Sequence, residues 1–155
     1  MIALLQRVTQ AKVVVDGATI SQISLGLMVL VCAQRGDTSV RANKLAQKLV
    51  SYRVFGDANG HMNLSLGDVQ ETNPAAGLLL IPQFTLAANT RSGSRPSFTP
   101  AAPPRLATEL FDFFVAQCSQ HLANVQTGLF GADMKVSLTN DGPVTFWLQV
   151  DPPNP

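Results

Sequence analysis

The sequence of 155 residues predicts an α+β fold with mainly antiparallel sheets and about two packed helices. Three observations support this prediction. Runs of β-branched and aliphatic residues outnumber stretches with helical spacing, Asp16-Gly17 and Asn59-Gly60 are typical of tight hairpin turns, and strands do not alternate strictly with helices. Neighbouring strands joined by short turns favour antiparallel pairing over a parallel sheet with crossover helices.

The first part of the chain consists of predicted strands. Two apolar runs, residues 2–8 and 11–17, are followed after the first turn by residues 18–23, and together they predict an antiparallel meander. The next run, GLMVLVCAQ at residues 26–34, is more continuously apolar. We therefore expect it to be a central strand that is covered on both faces.

Two stretches have the spacing of amphipathic helices. Apolar residues recur every three or four positions in residues 39–52, and Asp37 or Thr38 is placed to cap the start. A second apolar stripe occupies residues 103–121, with proline at its beginning, where the first turn of a helix tolerates it.

The remaining strands are predicted from shorter runs. Residues 52–66 predict a hairpin around the second turn, and GLLLIPQFTL at residues 77–86 predicts a strand. Pro82 lies within that strand and predicts an edge position or a bulge, because proline cannot donate to a β-ladder. Three further strands are predicted in residues 124–130, 134–140 and 143–150.

Length and composition limit the domain number and the class of protein. The chain suits one domain, expected over residues 1–150, with the proline-rich residues 151–155 as a frayed tail. An apolar fraction of 46% without a run of ~20 apolar residues indicates a globular protein rather than a membrane protein. Arg7 interrupts the first apolar run too early for a secretory signal, so we expect a cytoplasmic protein. The net charge of +1 argues against a generally basic nucleic-acid binder.

The common catalytic motifs do not occur in this sequence, which has no Gly-rich phosphate loop, HExxH or CxxC pair, or GxSxG elbow. His61 and His121 are expected at the surface. Cys32 and Cys118 lack the spacing of a zinc site or a redox pair and are expected to be buried free thiols. We expect no metal site, so any chemistry must depend on backbone donors, hydroxyl groups or the substrate itself.

Two stretches remain unusual. About fifteen residues after the predicted strand at 77–86 have no apolar period, which is long for a connection in a compact domain. Arg91, Arg95 and Arg105 fall in or just after this stretch, and they suit either phosphate contacts or an ordinary solvated loop. Gly142-Pro143 interrupts a long apolar stretch, and a tight hairpin between two strands is the ordinary explanation of such a pair. A cis peptide bond before Pro143 is the rarer alternative, since only ~5–6% of bonds before proline are cis.

Four segments resemble the D-aminoacyl-tRNA deacylase family. They are MIALLQRVTQAKVVVDG at the start, QFTLAANTRSGSRPSF at residues 83–98, FGADMKVSL at 130–138 and NDGPVTFWL at 140–148. The similarity covers essentially residues 1–150, and the two long motifs stand in the family's order and separation. The resemblance implies a barrel-like pair of sheets with helices outside, a homodimer with active sites at the subunit interface, and no metal or organic cofactor.

The resemblance also implies an activity and a reaction centre. Members hydrolyse the ester that joins a D-amino acid to the 3′-terminal adenosine of tRNA, a proofreading reaction, and they also clear mischarged glycyl-tRNA. The QFT motif implies that Gln83, Phe84 and Thr85 lie at the reaction centre. We expect the N–H groups of Phe84 and Thr85 to polarise the ester carbonyl while the adenosine 2′-hydroxyl orients water. Thr85 as a covalent nucleophile stays open, although it needs a base that its sequence neighbours do not supply.

Other matched positions imply how the substrate is held. Gly142 and Pro143 match a cis peptide that enters the partner subunit's site, where a rigid wall would exclude L-aminoacyl groups but not glycine. Phe130 and Met134 match positions close to the terminal adenine.

One position departs from the family pattern and keeps a second function open. Many members have serine where this chain has Pro82. A related branch that clears L-alanine from tRNA shares the proline but has alanine in place of Phe84, so Phe84 favours the D-specific branch. A third hypothesis is a nucleic-acid-binding dimer without catalysis, using the three arginines of the long connection as phosphate contacts.

Overall fold

The computed structural model describes residues 1–151, so the predicted tail lies outside it except for Asp151. Eight strands and three α-helices occur in this part of the chain. The strands are β1 Ile2–Val15, β2 Ala18–Ile23, β3 Gly26–Cys32, β4 Phe55–Gly56, β5 Met62–Leu64, β6 Gly77–Pro82, β7 Val125–Thr127 and β8 Lys135–Gln149. The helices are α1 Ser39–Val50, α2 Leu66–Thr72 and α3 Pro104–Ser119. None of these helices has the length and apolarity needed to cross a membrane.

Six strands form one mixed sheet that curls into a nearly closed barrel. β1 pairs antiparallel with β2, β3 and β8, whereas β6 runs parallel to both β3 and β7. The prediction of mainly antiparallel sheets is therefore only partly correct. The parallel pairs arise because helices lie between β3 and β6 and between β6 and β7, and parallel neighbours need such crossovers.

The N-terminal prediction is correct in its turn and wrong in its number of strands. Asp16 and Gly17 have φ values of 49° and 78°, the left-handed conformations of a two-residue hairpin turn between β1 and β2. The two runs predicted before this turn form the single strand β1, 14 residues long. Its length lets it pair with three different strands along its course.

The two predicted helices are confirmed as α1 and α3. Their apolar faces pack against one face of the sheet, in a cluster that includes Leu5, Val29, Leu45, Leu80 and Phe114. The central position predicted for β3 is also confirmed, because β3 lies between β1 and β6.

Asp37 has a different role from the predicted helix cap. Its carboxylate lies 2.8 Å from the amino group of Met1, in an ion pair that is fully buried, and also accepts a 2.7 Å hydrogen bond from Gln34 N–H. Thr38 occupies the cap position of α1, but its side chain makes no capping hydrogen bond.

The third helix, α2, was missed by the periodicity argument because it has only seven residues. Its sequence signal is a capping box, in which Ser65 Oγ accepts from Asp68 N–H while the Asp68 carboxylate accepts from Ser65 N–H. The backbone and side chain of Ser65 lower the pKa of Asp68 through these contacts.

Pro82 ends an interior strand, so the predicted edge position or bulge is wrong. Pro82 lies opposite Val31 of β3, while pairing with β7 stops two residues earlier at Leu80. Gln83 N–H points towards β3 and donates to Val31 O. Backbone N–H groups point alternately to the two sides of a strand. An N–H at position 82 would therefore point towards β7, where pairing has already ended at Leu80, so proline there breaks no ladder hydrogen bond.

β8 is one strand of 15 residues, so the hairpin explanation of Gly142-Pro143 is wrong. Asn140 lies opposite Val8 and Thr145 lies opposite Gln6, which leaves residues 141–144 facing Arg7 alone. The pairing is interrupted by this bulge and then resumes on the same partner strand. The Gly142-Pro143 peptide bond within the bulge is cis.

Candidate active site

A groove of about 740 Å³ opens beside the end of β6. Its lining brings together four residues that the sequence motifs singled out: Gln83, Phe84, Phe130 and Met134. Its volume falls within the range of small-molecule sites.

The chain leaves β6 and turns at once into a short 3-10 helix, Phe84–Ala87. Gln83 N–H is bound to Val31 O at 2.8 Å, and Leu86 N–H reaches Gln83 O at 3.4 Å. The N–H groups of Phe84 and Thr85 lie between these bonds and meet no acceptor within residues 1–151. Helix starts leave such donors free, and two adjacent donors suit a negatively charged oxygen.

The hydroxyl of Thr85 is held by its neighbour. Gln83 Nε2 donates a hydrogen bond to Thr85 Oγ1. No carboxylate or imidazole within residues 1–151 hydrogen-bonds to that oxygen. An amide N–H cannot accept the hydroxyl proton, so this hydrogen bond orients the Thr85 hydroxyl without taking its proton.

The thiol of Cys32 contacts the backbone of the same 3-10 helix. Cys32 Sγ lies 3.5 Å from Phe84 O and is buried. Burial raises the pKa of Cys32 to about 11 and that of Cys118 to about 12, so both thiols are neutral at neutral pH. The prediction of buried free thiols is confirmed.

His61 and His121 are exposed as predicted, and residues 1–151 hold no cluster of three potential metal ligands.

The bulge at Gly142-Pro143 is fixed by side chains on both sides. Arg7 Nε donates to Asp141 O at 3.1 Å and lies 3.2 Å from Asp141 Oδ2, while Arg7 Nη1 donates to Val54 O at 2.7 Å. Val144 N–H donates to Asn140 Oδ1 at 2.9 Å. These contacts hold an exposed loop of main chain in a defined position.

Within one chain the bulge lies away from the groove. Along β1, Ala3 lies opposite Val31, which neighbours Pro82, whereas Arg7 lies opposite the bulge. Four residues of a strand span ~13 Å. Pro143 accordingly does not line the groove of its own chain.

Comparison with known proteins decides the family. A family model described as "D-Tyr-tRNA(Tyr) deacylase" matches residues 4–149. The chain belongs to this deacylase family. The resemblance recognised in the sequence motifs is thereby confirmed.

Named relatives of the deacylase family match nearly the whole chain. The D-aminoacyl-tRNA deacylase of Janthinobacterium sp. (strain Marseille) is 66% identical over 98% of this chain and 99% of its own length. The D-aminoacyl-tRNA deacylase of Herminiimonas arsenicoxydans is 65% identical with the same coverage.

Two solved structures share the fold of this deacylase family member. The "c-Myc DNA Unwinding Element Binding Protein" has a TM-score of 0.90 and 35% identity, covering 97% of this chain and 99% of that one. A "probable eukaryotic D-amino acid tRNA deacylase" has a TM-score of 0.78 at 16% identity, covering 96% of this chain and 98% of that one, a likeness of fold alone.

Sequence reasoning missed two arginines beside the deacylase motifs. Arg7 supports the bulge, and Arg35 lines the groove together with Phe98. Arg35 lies outside the four segments that resemble the family, and Arg7 lies in the first of them without a predicted role. The contacts of both arginines depend on pairing between distant segments. The predicted phosphate contacts Arg91 and Arg95 are exposed on the loop that the Asn89–Ser97 bridge closes, outside the groove lining.

Proposed function

We propose that this deacylase family member hydrolyses the ester of D-aminoacyl-tRNA, releasing the D-amino acid and free tRNA, and that it also clears mischarged glycyl-tRNA. The observation that carries this proposal is the pair of N–H donors at Phe84 and Thr85, which meet no acceptor within residues 1–151 and lie at the end of β6 beside the groove. Relatives that are 65% and 66% identical bear the name of this activity. The protein would act in the cytoplasm, where aminoacyl-tRNA is made and used.

The proposed reaction needs no side-chain nucleophile, because an aminoacyl ester is already activated. Water, oriented by the 2′-hydroxyl of the terminal adenosine, attacks the ester carbonyl, and the negative charge forms on its oxygen. The N–H groups of Phe84 and Thr85 donate to that oxygen. The bond to the ribose 3′-oxygen then breaks, and the 3′-oxygen takes a proton. One such donor typically contributes ~2.7–4 kcal/mol to transition-state stabilisation.

The proposed adenine site is formed by Phe130 and Met134. An aromatic ring and a thioether both pack well against a purine. Leu129 N–H lies 3.3 Å from Met134 Sδ, and this contact fixes the sulfur at the wall of the groove.

A second copy of the chain would complete the site. Pro143, Thr145 and Trp147 alternate along β8 with the buried Val144 and Leu148, so they face outward. Trp147 is 49% exposed, which is unusual for so large an apolar side chain. We propose that this face is the homodimer interface and that it brings Gly142-Pro143 into the partner's groove.

The inserted main chain would provide the proposed selection of handedness. D- and L-aminoacyl groups differ only in the exchanged positions of hydrogen and side chain at the α-carbon. A wall fixed by Arg7 and Asn140 can therefore clash with the L side chain, whereas glycine has no side chain to clash.

Arg91 and Arg95, on an exposed loop, would contact phosphates of the acceptor stem.

Matched D-, L- and glycyl-tRNA substrates test the proposed function. We expect D-aminoacyl-tRNA and glycyl-tRNA to be hydrolysed, with a preference over L-aminoacyl-tRNA that exceeds the ~10–200-fold contributed by one methylene contact. Efficient hydrolysis of L-alanyl-tRNA would instead favour the related L-alanine branch. Salt-dependent binding to duplex DNA without esterase activity would favour a non-catalytic binder.

The role of Thr85 is tested by replacing it with alanine. Within residues 1–151 the Thr85 hydroxyl accepts a hydrogen bond from Gln83 Nε2 and has no base as its partner. We therefore expect Thr85→Ala to lower the rate by no more than about tenfold relative to the wild type, the effect of losing one hydrogen bond. The measurement is the single-turnover rate on D-aminoacyl-tRNA, with Thr85→Ser as the control. A loss of roughly 10⁴-fold or more, rescued by serine, would identify Thr85 as the nucleophile.

A further inference from the structure

One wall of the groove has no part in the proposed reaction. Its residues are Arg35, Phe98 and Pro103, which line the groove together with Phe84. Phe98 is 40% exposed although it is aromatic, and its ring packs edge-on against Phe84 with 5.1 Å between centroids. Phe98 of this wall therefore contacts Phe84, the first residue of the 3-10 helix Phe84–Ala87.

The guanidinium of Arg35 is oriented and available for a ligand. Arg35 Nε donates to Thr99 O at 2.6 Å, which fixes the plane of the group and leaves its terminal nitrogens free within residues 1–151. The nearest acidic residue in sequence, Asp37, is already paired with the amino group of Met1. A fixed guanidinium without a carboxylate partner suits a phosphate oxygen.

A second feature favours negative charge at the same wall. Pro103 and Pro104 stand at the N-terminus of α3, a helix of 16 residues with no acidic residue in its first turn. The positive end of the helix dipole therefore borders the groove beside Arg35. Asp133 is the acidic residue among those that line the groove, and it is paired with Lys135 at 2.9 Å.

The chemistry of the tRNA 3′ end suggests which part of the substrate this wall binds. With adenine at Phe130 and Met134 and the ester at Phe84, Arg35 and Phe98 are among the lining residues that remain for the 5′-phosphate of the terminal adenosine and the nucleotide before it. We propose that Arg35 and Phe98 form a subsite for the penultimate nucleotide of the tRNA 3′ end. Arg35 binds the phosphate that joins it to the terminal adenosine, and Phe98 stacks on its base, as exposed aromatics do with single-stranded RNA. This inference rests on the proposed function.

Two minimal substrates test the subsite. One is a D-aminoacyl ester of adenosine, and the other is the same ester of the dinucleotide cytidylyl-adenosine, which adds one phosphate and one base. We expect the wild type to hydrolyse the dinucleotide ester about tenfold to a hundredfold faster in kcat/KM, as one charged hydrogen-bonding contact allows. Arg35→Ala should remove most of this preference, Arg35→Lys should retain part of it, and Phe98→Leu should reduce it.

The controls separate this inference from the proposed function. Lys44→Ala, an exposed cation on α1, should leave the preference at its wild-type value. Equal kcat/KM for both esters in the wild type would overturn the subsite and leave the proposed function standing. An Arg35→Ala variant that slows both esters equally would also overturn it, because Arg35 would then act at the reaction centre or on the fold. Failure to hydrolyse D-aminoacyl-tRNA itself would overturn both.

Discussion

Phe84→Pro should slow the hydrolysis of D-aminoacyl-tRNA by about 10²–10³-fold relative to Phe84→Ala, the usual effect of losing one oxyanion donor. Both substitutions remove the aromatic ring, but only proline removes the N–H. Phe84 is the first residue of the 3-10 helix and follows Gln83, whose φ of −146° and ψ of 85° lie outside the helical region. Proline fits such a first position without breaking the turn.

The comparison between proline and alanine is read from single-turnover rates at saturating enzyme. Thermal unfolding of the two variants is the control, because similar melting temperatures show that the turn is preserved. Equal rates for Phe84→Pro and Phe84→Ala would contradict the proposed role of this N–H.

Gly142→Ala should lower the same rate by about 100-fold, because displacement of catalytic groups by ~1 Å can cost that much. Gly142 has a φ of 138°, and a Cβ there would lie 2.6 Å from Val144 Cγ2 and 3.0 Å from Val144 N. The bulge must move to relieve these contacts. Since it is held by Arg7 and Asn140, the movement would shift the wall that we propose meets the substrate.

Gly17→Ala is the matched control for this substitution. Gly17 also has a positive φ, 78°, but a Cβ there would meet no atom within 4 Å. The control therefore also places a side chain at positive φ, at a turn whose residues do not line the groove. We expect it to keep nearly the wild-type rate, and a Gly142→Ala variant that kept that rate as well would contradict the proposed wall.

The sequence predicted those parts of the fold that depend on local signals. The turn at Asp16-Gly17 and the helices α1 and α3 follow from dipeptide and 3.6-residue patterns, which neighbouring residues determine. The parallel pairing of β6 did not follow, because it depends on where the helices between the strands place the chain. The continuity of β8 through Gly142-Pro143 was also hidden, since a glycine-proline pair fits a hairpin and a bulge equally well.

The candidate site was predicted in part, through its motifs. Gln83 and Phe84 come from one motif, Phe130 and Met134 come from another, and all four line one groove, while their roles stay predictions. The N–H groups of Phe84 and Thr85, which have no acceptor within residues 1–151, could be recognised only from the backbone hydrogen bonds of the structure. Arg35 could not be predicted, because its partner Thr99 is 64 residues away in the sequence.

The central claim is that each active site combines the 3-10 helix Phe84–Ala87 of one chain with the Gly142-Pro143 bulge of another. It is tested most directly with a heterodimer of Phe84→Pro and Gly142→Ala chains, co-expressed with two different tags and purified through both. One site of this heterodimer would have both substitutions and the other would have neither, so we expect about half the wild-type activity per dimer. A heterodimer as inactive as the two parent homodimers would contradict the claim, because each site would then be built within a single chain.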